Sequence, residues 1–78
     1  MIDHRQSRAA RSLLGWTQQQ LAEASGVTRP TIQIFETNKR MPIRNTLNAI
    51  CSALEVGGVE FIPAQSGRGV GVRLREDK

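Results

Sequence analysis

The chain has 78 residues, 38% of them hydrophobic, and a formal net charge of +4. One Cys (Cys51) and one His (His4), far apart in sequence, exclude an intrachain disulfide and offer no metal-ligand spacing. With no secretory h-region and no apolar run near the roughly 18 residues a membrane span requires, the expected location is the cytoplasm. A chain this short builds a thin core, for which association with a second chain is a usual remedy.

In chain order, the pattern predicts a first helix over residues 3–14, with Asp3 as its cap and Ala10, Leu13 and Leu14 turned inward. Arg5 and Arg8 fall on its exposed side. Gly15 closes this helix. Thr17 can cap the next one, with Gln20 three residues later completing a capping box. Trp16 precedes the cap and is placed to staple against Leu21; stacking of its ring on a base is the less economical reading. Leu21 and Ala22 face the core, and Ala22 is small where a second helix must cross closely. Gly26 supplies the positive φ that ends the helix and turns the chain. Val27 is the apolar residue of that turn, Thr28 the next cap, and Pro30 sits in the first helical turn, where its missing N–H costs little. Ile32 and Phe35, spaced i and i+3, bury the following helix against its predecessor.

Residues 17–36 therefore read as two short helices meeting across a tight turn, a unit known for placing its second helix in a DNA groove. At 100° per residue, Pro30, Gln33, Ile34 and Thr37 lie opposite the core. Arg29 lies on the flank, with reach to a base edge or a phosphate. Arg bidentate to guanine is the commonest specific major-groove contact, and Gln33 carries both donor and acceptor. The plainer alternatives are a phosphate contact for Arg29 and simple solvation for Gln33.

Beyond a loop at residues 39–42, a further helix is predicted over 44–55, with Leu47, Ile50, Cys51 and Leu54 as its buried stripe. Cys51 reads as a small core residue. Gly57-Gly58 marks a change of character. Val59 and Phe61, then Val70, Val72 and Leu74, alternate with polar residues in the period of half-buried strands. The Gly-containing stretch between them suits a turn, and its spacing matches neither a P-loop nor a dinucleotide fingerprint. The chain thus divides into a helical unit over 1–56 and a β-hairpin over 57–78. A lone hairpin is marginal and has unpaired edges. It can serve as a dimerisation element, joining a second subunit's hairpin with Phe61, Val72 and Leu74 in the interface, or fold back on its own helices and leave dimerisation to the last helix.

Charge follows the same division. Through Leu54 there are seven basic residues against three acidic; from Glu55 onward there are four of each. All the excess positive charge lies in the helical part, which suits a polyanion through counterion release, though basic residues also keep a small domain soluble. The motif decides between these readings.

Gln18, Ala22, Gly26, Ile32 and Phe35, at their spacing, resemble the Cro/repressor-type helix-turn-helix family, also called XRE. The likeness runs from about residue 11 to 54. It implies a mainly α fold, a four- to five-helix, lambda-repressor-like DNA-binding domain, here followed by the short hairpin. It also implies that Gln18 and Arg40 hold phosphates and that Arg11 and Glu36 form a structural ion pair, where otherwise both are ordinary surface charges. With Thr28, Thr31, Thr37 and Lys39, these complete the expected phosphate contacts; the expected base readers are Arg29, Pro30, Gln33 and Ile34. Two of the family's frequent reader positions carry Pro30 and Ile34, which cannot hydrogen-bond through their side chains but can pack on thymine methyls. Asn38 stands where Gly is frequent after the recognition helix, and Asn is the next best left-handed cap.

The expected function is sequence-specific binding of double-stranded DNA by a homodimeric transcription regulator on a pseudo-palindromic operator, with no cofactor and no metal. The competing expectation is an antitoxin, which binds its own promoter and also a toxin protein. No paired carboxylates and no Ser/His/Asp set with a credible base point to an enzyme.

Overall fold

The computed structural model describes residues 2–76. Its helices are α1 (His4–Leu14), α2 (Gln18–Ser25), α3 (Arg29–Glu36) and α4 (Arg44–Gly57), followed by strands β1 (Val59–Ile62) and β2 (Gly71–Leu74) in one antiparallel pair. The protein is mainly helical with a C-terminal hairpin, and the described residues hold four helices.

Helix ends explain the boundaries. Asp3 and Gln6 form a reciprocal capping box, each side chain accepting from the other's backbone N–H at 2.9 Å. Thr17 and Gln20 do the same for α2, at 3.1 and 2.8 Å. Such caps are worth about 1 kcal/mol each and satisfy donors that a helix start leaves orphaned. Gly15 and Gly26 end α1 and α2 in the left-handed region, at φ 69° and 73°. Asn38 does this for α3 at φ 62°. Its N–H donates to the Phe35 carbonyl and that of Lys39 to the Ile34 carbonyl, the bond pair of a Schellman turn.

Leu21, Ile32, Phe35, Ile50, Leu54 and Val59 form the fully buried centre, with Ala10, Ala22, Leu47 and Ile2 around them. Ile2 and Val59 bring the residues before α1 and the start of β1 into the same core. Leu13 corrects the sequence reading: it is 43% exposed. The inward stripe of α1 is Ser7, Ala10 and Leu14, and Leu13 lies on the flank that Gln6 occupies seven residues earlier. The hairpin covers that flank at Gln6 and leaves Leu13 to solvent. Cys51 is half-buried at the core's margin, where burial and then neighbouring Glu55 push its thiol pKa up. Helix α4 also runs two residues past its expected end.

The hairpin rests on its own helices. Val59 pairs with Leu74 and Phe61 with Val72; Phe61 and Val72 pack against the helical core, and Leu74 stays 37% exposed. From α1, the Gln6 amide donates to the carbonyls of Ile62 (3.3 Å) and Gly71 (2.9 Å), one on each strand. At the tip, Gln65 and Arg68 exchange both main-chain hydrogen bonds around Ser66 (φ 53°) and Gly67 (φ 77°). Two consecutive left-handed residues make this a type I′ turn, whose twist suits the flanking strands. Glu60 and Arg73 pair across the exposed face, a contact of small energetic weight.

Candidate nucleic-acid interface

Three helices converge on one carboxylate. Glu36, at the last turn of α3, is 1% exposed and receives Arg11 Nη2 at 2.6 Å, Arg11 Nε at 3.0 and 3.1 Å, Ser7 Oγ at 2.6 Å and Gln18 Nε2 at 3.2 Å. Burial by itself raises the Glu36 pKa, but the hydrogen bonds from Arg11, Ser7 and Gln18 and the Arg11 charge outweigh it and hold the carboxyl below its ordinary value. Arg11 also donates to the Trp16 carbonyl, and Arg8 to the backbone carbonyl of Glu36. The cluster ties α1, the start of α2 and the end of α3 into one rigid unit. Ser7 and Gln6 escaped the sequence reading; Ser7 is four residues before Arg11, the spacing that puts both on one helix face.

With its inner side fixed, α3 turns Arg29, Pro30, Gln33, Ile34 and Thr37 to solvent. The four residues expected to read bases therefore share an exposed surface. Beyond the Schellman turn, Lys39 and Arg40 extend that surface, also exposed. Among the described residues, Arg29, Lys39 and Arg40 have no ion-pair partner. A polyanion can reach all three without breaking an existing contact.

Several polar groups differ from expectation. Thr28 precedes α3 but its hydroxyl does not cap the helix; it meets the Thr31 hydroxyl at 3.0 Å. The second helical residue is Pro30, which has no N–H to offer a cap; the third, Thr31, has one, but the Thr28 hydroxyl meets the Thr31 hydroxyl instead. Thr37 commits its proton to the Gln33 carbonyl at 2.8 Å and, as placed, has none to donate to a phosphate. Gln18 spends one amide hydrogen on Glu36 and keeps the other. The remaining expected phosphate contacts, Lys39 and Arg40, are unencumbered.

Two short helices meeting at a left-handed turn, the second presenting a free outer face beside cations without ion-pair partners among the described residues, define a helix-turn-helix DNA-binding module. The family comparison is consistent with this. A helix-turn-helix family model matches residues 8–61, and the chain belongs to the Cro/C1-type (XRE) helix-turn-helix family of DNA-binding transcription regulators. A search among curated proteins returns no match. The family is one of DNA binding, not of catalysis, and no described helix is long and apolar enough to cross a membrane.

Proposed function

We propose that the protein regulates transcription in the cytoplasm by sequence-specific binding of duplex DNA as a homodimer on a pseudo-palindromic operator. The observation that supports this reading is the exposed surface of α3, where Arg29 and Gln33 supply hydrogen bonds for base edges and Lys39 and Arg40 lie ready for the phosphates alongside. Gln18, with its spare amide hydrogen, and the Thr28–Thr31 hydroxyl pair add phosphate contacts at the two helix starts. A single module of this size touches few base pairs. Two related by symmetry read half-sites about 34 Å apart and multiply the discrimination.

The hairpin is the proposed dimerisation element. Its two-stranded sheet leaves one edge of each strand unpaired, and Leu74 is exposed at its end. Because Phe61 and Val72 already pack on the chain's own core, a partner strand would add through the main chain and Leu74, with those two side chains supporting the joint from below.

Selection of duplexes from a random pool, followed by competition against unrelated DNA, tests the reading. A symmetric consensus whose affinity falls steeply with salt is expected. Recovery of no preferred sequence would remove specific regulation from consideration. Sedimentation of the full chain and of a Leu74→Lys variant tests the dimer, which the charge at the sheet edge should dissociate.

A further inference from the structure

The C-terminal end of α3 is an awkward place for an anion. Backbone dipoles leave partial negative charge on the last carbonyls of a helix. Helix α3 has no basic residue in its own last turn, and the charge of its final residue, Glu36, is matched by Arg11. Lys39 and Arg40 leave from this same end, so a phosphate held there lies near the negative pole.

A cation from another helix meets that pole. Arg8 of α1 reaches across and donates from Nη1 to the Glu36 carbonyl at 2.5 Å. The carbonyls of Gln33, Ile34 and Phe35 take the main-chain N–H groups of Thr37, Lys39 and Asn38, whereas that of Glu36 receives none among the described residues. Capping this carbonyl leaves the rest of the guanidinium fork without a partner among the described residues. The side chain is exposed, and no carboxylate among the described residues pairs with it. Arg5, three residues earlier on α1, is spent on Asp3.

We propose that Arg8 is a phosphate-binding residue: anchored on the Glu36 carbonyl, it presents the open side of its guanidinium to a backbone phosphate at the C-terminal end of α3. The inference rests on the DNA-binding reading above and adds a contact from α1, a helix to which that reading assigns none. Arginine suits the role because a planar fork can give one N–H to the carbonyl and others to phosphate oxygens. The carbonyl bond also holds the side chain in place before DNA arrives, which lowers the rotamer entropy lost on binding.

The test titrates the full-length parent, Arg8→Ala and Arg8→Lys with a selected and an unrelated duplex at several salt concentrations. Arg8→Ala should weaken both duplexes by the same factor and lower the slope of log K against log salt by about 1 per bound subunit. Arg8→Lys keeps the charge and should restore most of the slope. Should the alanine variant fail to fold, Arg8→Gln removes the charge while keeping an amide donor, and the same slope is read from it. Single methylphosphonates, each neutralising one phosphate of the selected duplex, then place the contact. At one phosphate of a half-site the parent should lose affinity while the uncharged variant is indifferent. An unchanged salt slope in the uncharged variant, or identical methylphosphonate penalties in parent and variant, overturns the proposal and leaves Arg8 a cap of α3 alone. Because the slope is also read on unrelated duplex, a chain that selects no sequence still tests Arg8, and the two readings fail separately.

Discussion

The indole of Trp16 rests on Gly57: a Cβ added at Gly57 would stand 2.8 Å from Trp16 Cη2 and 2.9 Å from both Trp16 Cζ2 and Leu14 Cδ1. The residue before the α2 cap thus packs on the last turn of α4. The close approach accounts for glycine inside that turn, where helix propensity alone favours almost any other residue.

Gly57→Ala sets two effects against each other. Alanine gains about 1 kcal/mol in helix propensity, but overpacking a rigid ring costs about 1 to 3 kcal/mol. We expect net destabilisation of about 1 kcal/mol, since the indole cannot fold away as a flexible chain end does. Urea denaturation checks it. In a Trp16→Leu background the same substitution should cost less, because the indole clash is gone and the close contact that remains is the flexible end of Leu14, which can swing aside.

Glu36 governs the acid response. Its carboxyl is held below the ordinary range, so the folded pKa lies beneath the unfolded one. Stability from such a group is fully present above the unfolded value, about 4.3, and is lost as pH falls through the folded value. Glu36→Gln should remove that part of the acid slope, leaving the contribution of Asp3, which is also lowered. At neutral pH it should cost about 3 to 5 kcal/mol, since Arg11 is left mostly buried without its counter-charge. Thermal melts between pH 3 and pH 7, in steps of about half a unit, compare the two proteins across the window in which carboxylates titrate.

The helical part was legible because its signals are local. Thr17 with Gln20, Gly26, Asn38 and the Ile32/Phe35 pair each act within a turn or two, and sequence spacing carries that information directly. Leu13 departs from expectation because an apolar helix stripe is wide enough to take two neighbouring residues, and which of them is covered depends on where the hairpin lies. Gln6, Ser7 and Ile2 were overlooked for the same reason: polar residues and a chain terminus become buried only through contacts 29 to 65 residues away. On the interface, the exposure of Pro30, Gln33 and Ile34 follows from helical phase, which places Arg29 only on the flank. The commitment of the Thr37 proton does not, since it depends on a rotamer.

Gln6 links the hairpin to α1 through two carbonyls and also completes the Asp3 capping box. Gln6→Ala should therefore cost about 1 to 3 kcal/mol, because two half-buried carbonyls lose their side-chain donor and an orphan N–H is left at the helix start. Hydrogen exchange locates the effect. Protection should fall at β1 and β2 first, while amides of α2 and α3 exchange as before, since the Glu36 cluster that holds those helices does not include Gln6. Equal loss throughout the chain would mean that hairpin and helices unfold as one unit.

Arg29 and Arg40 separate reading from holding. Both are exposed and without an ion-pair partner among the described residues, so alanine at either should leave stability within about 0.5 kcal/mol of the parent. Their effects on DNA should differ in kind. A bidentate contact from Arg29 to guanine is worth about 1 to 3 kcal/mol at one base pair, so Arg29→Ala should flatten the preference there and leave unrelated duplex almost unaffected. Arg40 lies past the helix, in the loop that follows the Asn38 turn, and is the proposed phosphate contact. Arg40→Ala should weaken all sequences alike and reduce the slope of log K against log salt by about 1. Titrations of a selected and a scrambled duplex at several salt concentrations distinguish the two. If Arg40→Ala instead changed sequence preference at constant salt slope, the loop would be reading bases, and the division between helix and loop would have to be redrawn.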